Sequence, residues 1–387
     1  VLTAREAAEI CRVNPHSFLH VTRPDVHLSP GDDPHRPEGY LAARSAYRRM
    51  FSEGALVTEP LPCLYLYSLR LPLPEGGFHE QSGFVGCFSI DEHLEGLIRR
   101  HEHTRPEKVE DRYRLIEALD AQTGMIFLAW RDHPELAALL SPHAARPPLW
   151  SVQTEDGVTH TLGLISDLGD IQEIQRAFTP LRALYVADGH HRLEAATWMA
   201  ARRTGPGEHR WFLAGAFPEG SLLVRAYHRL VRDLNGLSTA EFLVAVSTRF
   251  TVTEAPAPEP GRSGLLHMFL DGRWWSLLLR PGLLQDDPVA RLDVSVLQDH
   301  LLAPILAIHD PRQDRRIEFI GSPRGPEALE EPVRRGEAAV AFALHPPGLD
   351  PFFDVADMGR VMPPKPTWFQ PKLRGGVLVH RLTEPHG

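Results

Sequence analysis

The sequence predicts a mixed α/β protein of the α+β kind, on three observations. Its 387 residues are 43% hydrophobic, enough to bury a full core and too apolar for a disordered chain. Its 35 prolines and 30 glycines cut it into many short elements, which suits a mixed enzyme-like domain better than a helical bundle. Strand-like apolar runs also mix with helical periodicities throughout, with no long βαβ rhythm and no Rossmann glycine fingerprint.

Residues 5–13 and 38–54 carry apolar side chains on one helical face, and both are predicted helices. The runs 64–73 and 83–90 are rich in β-branched and aromatic residues and read as strands. Residues 92–101 again show the helical pattern. A second helix over 106–122 follows, opened by Thr104-Arg105-Pro106-Glu107, which has the capping-box spacing with proline in the first turn. Strands are predicted at 125–130, 160–166, 181–187 and 211–217, with a helix over 191–205 between the last two. Beyond 232 the texture changes: a helix over 237–250 gives way to a Pro/Gly stretch at 251–264. A hairpin turning at Asp271-Gly272, a helix over 292–308 and strands at 338–347 and 375–382 complete the pattern. The expected division is an α/β core over 1–232 and a C-terminal α+β lobe over 233–387.

The formal charge of −9 leaves 41 basic residues scattered among 50 acidic ones, which argues against nucleic acid as a partner. No run approaches the roughly 18 apolar residues of a membrane span, and no signal peptide opens the chain, so a cytoplasmic, membrane-free protein is expected. The three cysteines, Cys11, Cys63 and Cys87, lack CxxC spacing. They read as core residues rather than as a disulfide framework or zinc knuckle. There is no GxSxG, HExxH or Walker GxxxxGK[ST], which argues against the commonest hydrolases and P-loop kinases.

One stretch crowds protonatable groups into a turn: "YVADGHHRLEAA", residues 185–196. A strand ends at Ala187, Asp188-Gly189 turns, and a helix begins near His190, so free N–H groups and the positive helix end gather at Gly189 to Arg192. Arg192 adds a planar donor fork suited to phosphate. Asp188 reads as a helix cap, a metal ligand or a base for a substrate hydroxyl. A cap explains Asp188 without explaining His190 and His191.

A second dense stretch, "RRHEHTRPEKVEDR" at 99–112, exposes His101, Glu102, His103 and Thr104 at a corner between helices. It reads either as a solvated corner or as a site with Glu102 as general base and Lys108 or Arg112 as phosphate clamp. In "VMPPKPTWFQPKLRGG", 361–376, four prolines dictate an ordered extended loop carrying Lys365, Lys372, Trp368 and Phe369. It is a surface tether or a pre-organised ligand contact. "NPHSFLHVTRP", 14–24, places Asn14, His16, Ser17 and His20 on a turn that core-edge packing also explains. His228-Arg229 is a weaker His-Arg pair.

Taken in order, "NPHSFLHVTRP", "RRHEHTRPEKVEDR", "YVADGHHRLEAA", "LDVSVLQDHLLAPILAI" and "MPPKPTWFQPKL" resemble the bacterial and archaeal family called domain of unknown function 1015, over nearly the whole chain. The DGHHR turn resembles the nucleotide motif of the ParB and sulfiredoxin fold, with Gly189, His190, His191, Arg192, Ala195 and Ala196 in its places. The resemblance implies a ParB/sulfiredoxin-like nucleotide-binding core and, through relatives that are free serine kinases, a nucleotide-dependent kinase of serine or a similar hydroxyl metabolite.

On that basis Glu102, Asp188 and His191 are the expected catalytic residues, and Gly189, His190, Arg192, Lys108, Arg112, Lys365 and Lys372 the expected phosphate ligands. His101, Thr104, Asn14 and Ser17 are expected at the substrate, and Asp188 at Mg2+ carried by ATP or ADP. The partners are then a nucleotide and a small molecule, and a homo-oligomer is compatible with the sequence. Two rivals stand beside this reading. One is a nucleotide-binding switch without small-molecule kinase activity. The other is a metal-dependent hydrolase or phosphatase built on Asp188, His190, His191 and His101.

Overall fold

The structure, a computed structural model, describes residues 2–383 apart from 30, 75, 256, 322 and 323. The chain is mixed α/β and divides into two units. The first contains the residues up to 99, 104–222 and those from 371 on; the second contains 100–103 and 223–370. Among the described residues no helix is long and apolar enough to cross a membrane.

The first unit holds strands β1 (Leu64–Pro72), β2 (Phe78–Ser89), β3 (Ile98–Arg99), β4 (Ala121–Gln122), β5 (Ile126–Trp130), β6 (Trp150–Gln153), β7 (Thr159–Ile165), β8 (Leu184–Asp188) and β9 (Trp211–Pro218). Eight of them form one sheet in the order β3-β8-β5-β9-β2-β1-β7-β6. β8 runs parallel to β3 and antiparallel to β5, and β5 runs parallel to β9. The short β4 pairs instead with His380–Arg381, all that forms of the closing strand expected at 375–382. β5 is buried at every residue, as its unbroken apolar run demands of a central strand. Its Ile126 and Leu128 join Leu66, Phe84, Val186, Leu193 and Phe212 in the main core.

Helix His190–Arg202 leaves β8 after one residue and packs on helix Pro106–Leu119, where Ala195 and Met199 meet Val109, Tyr113 and Ile116. Helix Pro37–Ser52 covers the other side of Pro106–Leu119 through Tyr40, Ala43 and Tyr47 against Leu115 and Leu119. The two site-bearing helices are also tied at their C-terminal ends. Asp120, the left-handed cap of Pro106–Leu119 at φ 53°, accepts from the Arg203 guanidinium at 2.7 Å.

Three local expectations are corrected. The helix expected over 92–101 spans only Ile90–Leu94, because Gly96 takes φ 85° and the chain goes on into β3. The capping box of Thr104 and Glu107 does not form: the N-cap is Arg105, without a side-chain cap. Cys87 is exposed and Cys63 half-buried, so only Cys11 is a core cysteine.

The second unit holds β10 (Leu223–Arg225), β11 (Tyr227–Val231), β12 (Phe250–Glu254), β13 (Leu265–Leu270), β14 (Arg273–Leu279), β15 (Ile317–Gly321), β16 (Val340–Ala343) and β17 (Trp368–Gln370). Six of these build an antiparallel sheet in the order β12-β14-β13-β16-β11-β15. Asp271 and Gly272, at φ 50° and 76°, make the predicted two-residue hairpin turn. Helix Glu327–Arg334 lays Leu329 over Leu230, Phe269 and Ala341. The proline-rich stretch contributes only the three-residue β17, paired with β10. The helix expected over 292–308 is regular only at Asp293–Leu297 and widens to a π turn at Gln298–Leu302.

Candidate functional site

The DGHHR turn lies in the first unit at the C-terminal end of β8. Gly189 caps the helix at φ 98°, a left-handed conformation that costs glycine little and other residues more. Its N–H donates to Asp188 Oδ1 at 2.9 Å, and its carbonyl accepts from the N–H groups of Arg192 and Leu193. Space is short as well. A Cβ at Gly189 would stand 3.3 Å from both Ile126 Cα and Arg192 Nη1.

Arg192 returns toward the strand that flanks β8, where its Nη1 donates to the Met125 carbonyl at 2.5 Å. Its guanidinium also lies against Gly124, where a Cβ would come within 3.3 Å of Nε. Burial lowers the Arg192 pKa and the Arg112 charge lowers it further, while Asp188 opposes both. The turn thus has a fixed positive charge against its glycine. Arg112 itself pairs with Asp111 at 2.9 Å.

The other arm of Asp188 reaches a distant part of the chain. Lys372 Nζ donates to Asp188 Oδ2 at 2.9 Å, with both side chains partly open to solvent. The lysine is held there by its neighbours. Gln81 Nε2 donates to the Pro371 carbonyl at 3.3 Å, and Arg374 pairs with Asp156. His190 is buried, and His191 is half-buried with Nε2 accepting the N–H of Arg105 at 3.1 Å. That bond satisfies the N–H of the N-cap residue itself, the role an acidic side chain at the third helical position has in a capping box. Thr104 is half-buried one residue earlier, and Lys108 is exposed on the first helical turn.

Among the remaining predicted residues, Asn14 and Ser17 belong to the first unit and make a local turn. Asn14 Oδ1 accepts from the His16 N–H at 3.0 Å and its carbonyl from the Ser17 N–H at 3.1 Å. His101, Glu102 and Lys365 belong to the second unit. There His101 is buried edge-on against Phe352, with ring centroids 4.6 Å apart, and its carbonyl accepts from the Met362 N–H at 2.8 Å. Lys365, left-handed at φ 55°, holds its ammonium 5.4 Å from the Tyr227 ring centroid. Phe369 is buried, and Trp368 packs on Tyr227 and on Gly321, so both aromatic rings serve this unit's own packing.

Sequence reasoning gave little weight to Arg229, which organises that loop. Its Nη2 donates to the carbonyls of Pro364 and Lys365 at 3.0 and 3.1 Å. Burial takes its pKa down to about 9, against the charges of Tyr227 and Glu102. The sequence signal was the His228-Arg229 pair itself, a charge inside an apolar strand.

Among the described residues no group of three or more His, Cys, Asp or Glu side chains is placed to hold a metal ion. Asp188 is a single carboxylate, which fits Mg2+ brought by a nucleotide: that ion keeps its waters and needs one or two carboxylates beside the phosphates.

The profile of the family described as "Protein of unknown function (DUF1015)" matches residues 1–295. Among solved structures the chain is similar to a free serine kinase in complex with AMP, with 11% identity over 74% of this chain and 86% of that one, at a TM-score of 0.39. It is similar to SbnI with a C-terminal truncation from Staphylococcus aureus, with 12% identity over 75% and 84% and a TM-score of 0.42. A conserved hypothetical protein from Pyrococcus furiosus gives 10% identity over 74% and 90%, with a TM-score of 0.37. No curated protein matches the chain in sequence.

Proposed function

The chain belongs to the DUF1015 family, and from that premise we propose that it is a nucleotide-dependent kinase acting on the hydroxyl of free serine or a similar small metabolite. The observation that supports this best is the turn at Asp188 to Arg192. A left-handed glycine opens a 13-residue helix there, the guanidinium of the half-buried Arg192 lies against that glycine, and a lysine sits on the adjoining carboxylate.

Phosphoryl transfer asks a protein for positioning and charge neutralisation more than for covalent help. The helix N-terminus and the fixed Arg192 charge favour phosphate at the turn. Lys372 is the partly exposed cation of the set: turning its ammonium from Asp188 Oδ2 to a phosphate oxygen, it would leave that carboxylate to accept the acceptor's hydroxyl proton or to hold Mg2+, which when bound neutralises phosphate charge. Lys108 and Arg112, on the first two turns of helix Pro106–Leu119, are the remaining candidate phosphate ligands.

The test is a thermal-shift panel of ATP, ADP and pyrophosphate with Mg2+, in the full chain and in Lys372→Ala. A nucleotide at 100 times its Kd stabilises by about 2.7 kcal/mol, an unmistakable shift. A shift that weakens in the variant, followed by turnover of serine or a related alcohol, is the expected result. A flat panel from folded protein counts against both nucleotide binding and the kinase. Binding without turnover of any small hydroxyl acceptor leaves the switch reading in its place.

A further inference from the structure

The first unit contains a second reactive cluster, remote in sequence from the DGHHR turn and independent of the proposed kinase activity. β1 and β2 are antiparallel, with Leu66 opposite Phe84 and Tyr65 opposite Val85. The β1–β2 pairing ends at Tyr65–Val85 and Cys63 lies one residue before β1; continuing the register two steps past that last pair sets Cys63 opposite Cys87. The intervening step is visible in the packing, since a Cβ on Gly86 would strike Leu64 Cδ2 at 2.7 Å. Directly opposed residues of an antiparallel pair have Cα atoms about 4.5–5.5 Å apart, inside the range a disulfide spans without moving the backbone. Being separated from each other by an even number of residues along each strand from the Tyr65–Val85 pair, Cys63 and Cys87 point to the same face of the sheet.

We propose that Cys63 and Cys87 form a cross-strand dithiol that closes to a disulfide by exchange with a low-molecular-weight disulfide. The exposed Cys87, as thiolate, attacks one sulfur of the small disulfide and expels one small thiol. Cys63 then attacks the Cys87 sulfur and expels the second. Two protein thiols are oxidised by two electrons, one small disulfide is reduced to two thiols, and the protons of the protein thiols pass to the departing thiolates. The link fastens the open end of the β1–β2 pair. It also ties down one wall of an apolar cavity of about 490 Å³, lined there by Leu64, Gly86 and Cys87.

The surroundings make this exchange slow at neutral pH. Atoms that exclude water from the sulfurs push both thiols up, although Cys87 keeps part of its surface exposed. The negative charges of Glu59 on Cys63 and of Glu208 on Cys87 disfavour a thiolate, and at Cys63 only the Tyr65 hydroxyl works the other way. The rate therefore climbs with pH, as the attacking species is the thiolate.

The experiment exposes the full chain to oxidised glutathione at neutral and mildly alkaline pH, alkylates the remaining thiols and maps the peptides. The expected product has a Cys63–Cys87 link, the mass loss of two hydrogens and one alkylated cysteine, Cys11, out of three. It forms faster at the higher pH, and dithiothreitol reverses it. Cys63→Ser, which removes the resolving thiol, should instead retain glutathione on Cys87. Three alkylatable thiols after prolonged alkaline treatment, a link involving Cys11, or a lasting glutathione adduct on Cys87 of the unsubstituted chain would each overturn the proposal.

Discussion

The backbone N–H of Arg105 donates to Nε2 of His191 at 3.1 Å, so the first residue of one helix's cap is held by the second residue of another. A nitrogen that accepts carries no proton, so with this bond in place the ring can donate only through Nδ1. His191 thereby couples the DGHHR turn to helix Pro106–Leu119, which carries Lys108 and Arg112. His191→Ala is expected to destabilise the protein by about 1 kcal/mol, the usual worth of a helix cap. Urea denaturation at neutral pH measures this, and an unchanged midpoint would show that the bond contributes nothing.

Gly189→Ala forces a side chain into the left-handed region and against the Ile126 backbone. A loss of about 1–2 kcal/mol is expected from the conformation alone. Nucleotide binding should fall further than stability does, because the turn's N–H groups shift together. Denaturation and calorimetric titration on the same preparation separate the two.

Lys372→Ala removes the cation on Asp188 at a pair that is partly exposed. Folding should change by no more than about 1 kcal/mol. Nucleotide affinity should drop roughly tenfold, the value of one charged hydrogen bond. Lys372→Arg, which keeps charge but alters its shape, should recover part of the loss in titration; full affinity in the alanine variant would remove Lys372 from the site.

Two buried histidines set an acid limit on stability. His160, bonded through Nδ1 to the Tyr67 hydroxyl at 2.7 Å, and His228, accepting the Leu344 N–H at 3.2 Å, are both lowered to about 4 by burial. Their folded values lie below the unfolded value near 6.5. The stability they permit is therefore complete above pH 6.5 and is lost as pH falls toward 4, by about 3 kcal/mol for each. Unfolding midpoints across that window should decline, and His160→Gln should flatten the decline; a profile level from neutrality down to pH 4 would contradict the assignment.

Much of the local structure is legible in the sequence, because it depends on neighbours along the chain. The strand, turn and helix around Asp188 follow from an apolar run, an Asp-Gly and an i, i+3, i+4 pattern, all within a few residues. The Asp271-Gly272 hairpin is legible for the same reason. Gly96 ends a helix that periodicity alone extends to His101, since a period says nothing of where a left-handed residue will cut it. Contacts across the fold have no such signal. Nothing in "TRPEKVE" announces that a histidine 86 positions later will accept the N–H of Arg105 at the helix N-cap. Lys372 and Asp188 meet at a separation of 184 residues, and the opposition of Cys63 to Cys87 emerges only from a strand register. Arg229 is visible as a charge in an apolar strand, yet its two carbonyl partners lie 135 and 136 residues further on.

The distance between Lys372 and Asp188 also bears on how the protein is made. A ribosome releases Asp188, Gly189 and Arg192 early, while the lysine that neutralises the aspartate emerges 184 residues later. Through that interval the Asp188 carboxylate has the Gly189 N–H but not the Lys372 ammonium. Any chain interrupted before Pro371 would keep the glycine, the histidines and the arginine but lack the cation, so synthesis itself withholds the finished turn until the whole of the second unit has been translated.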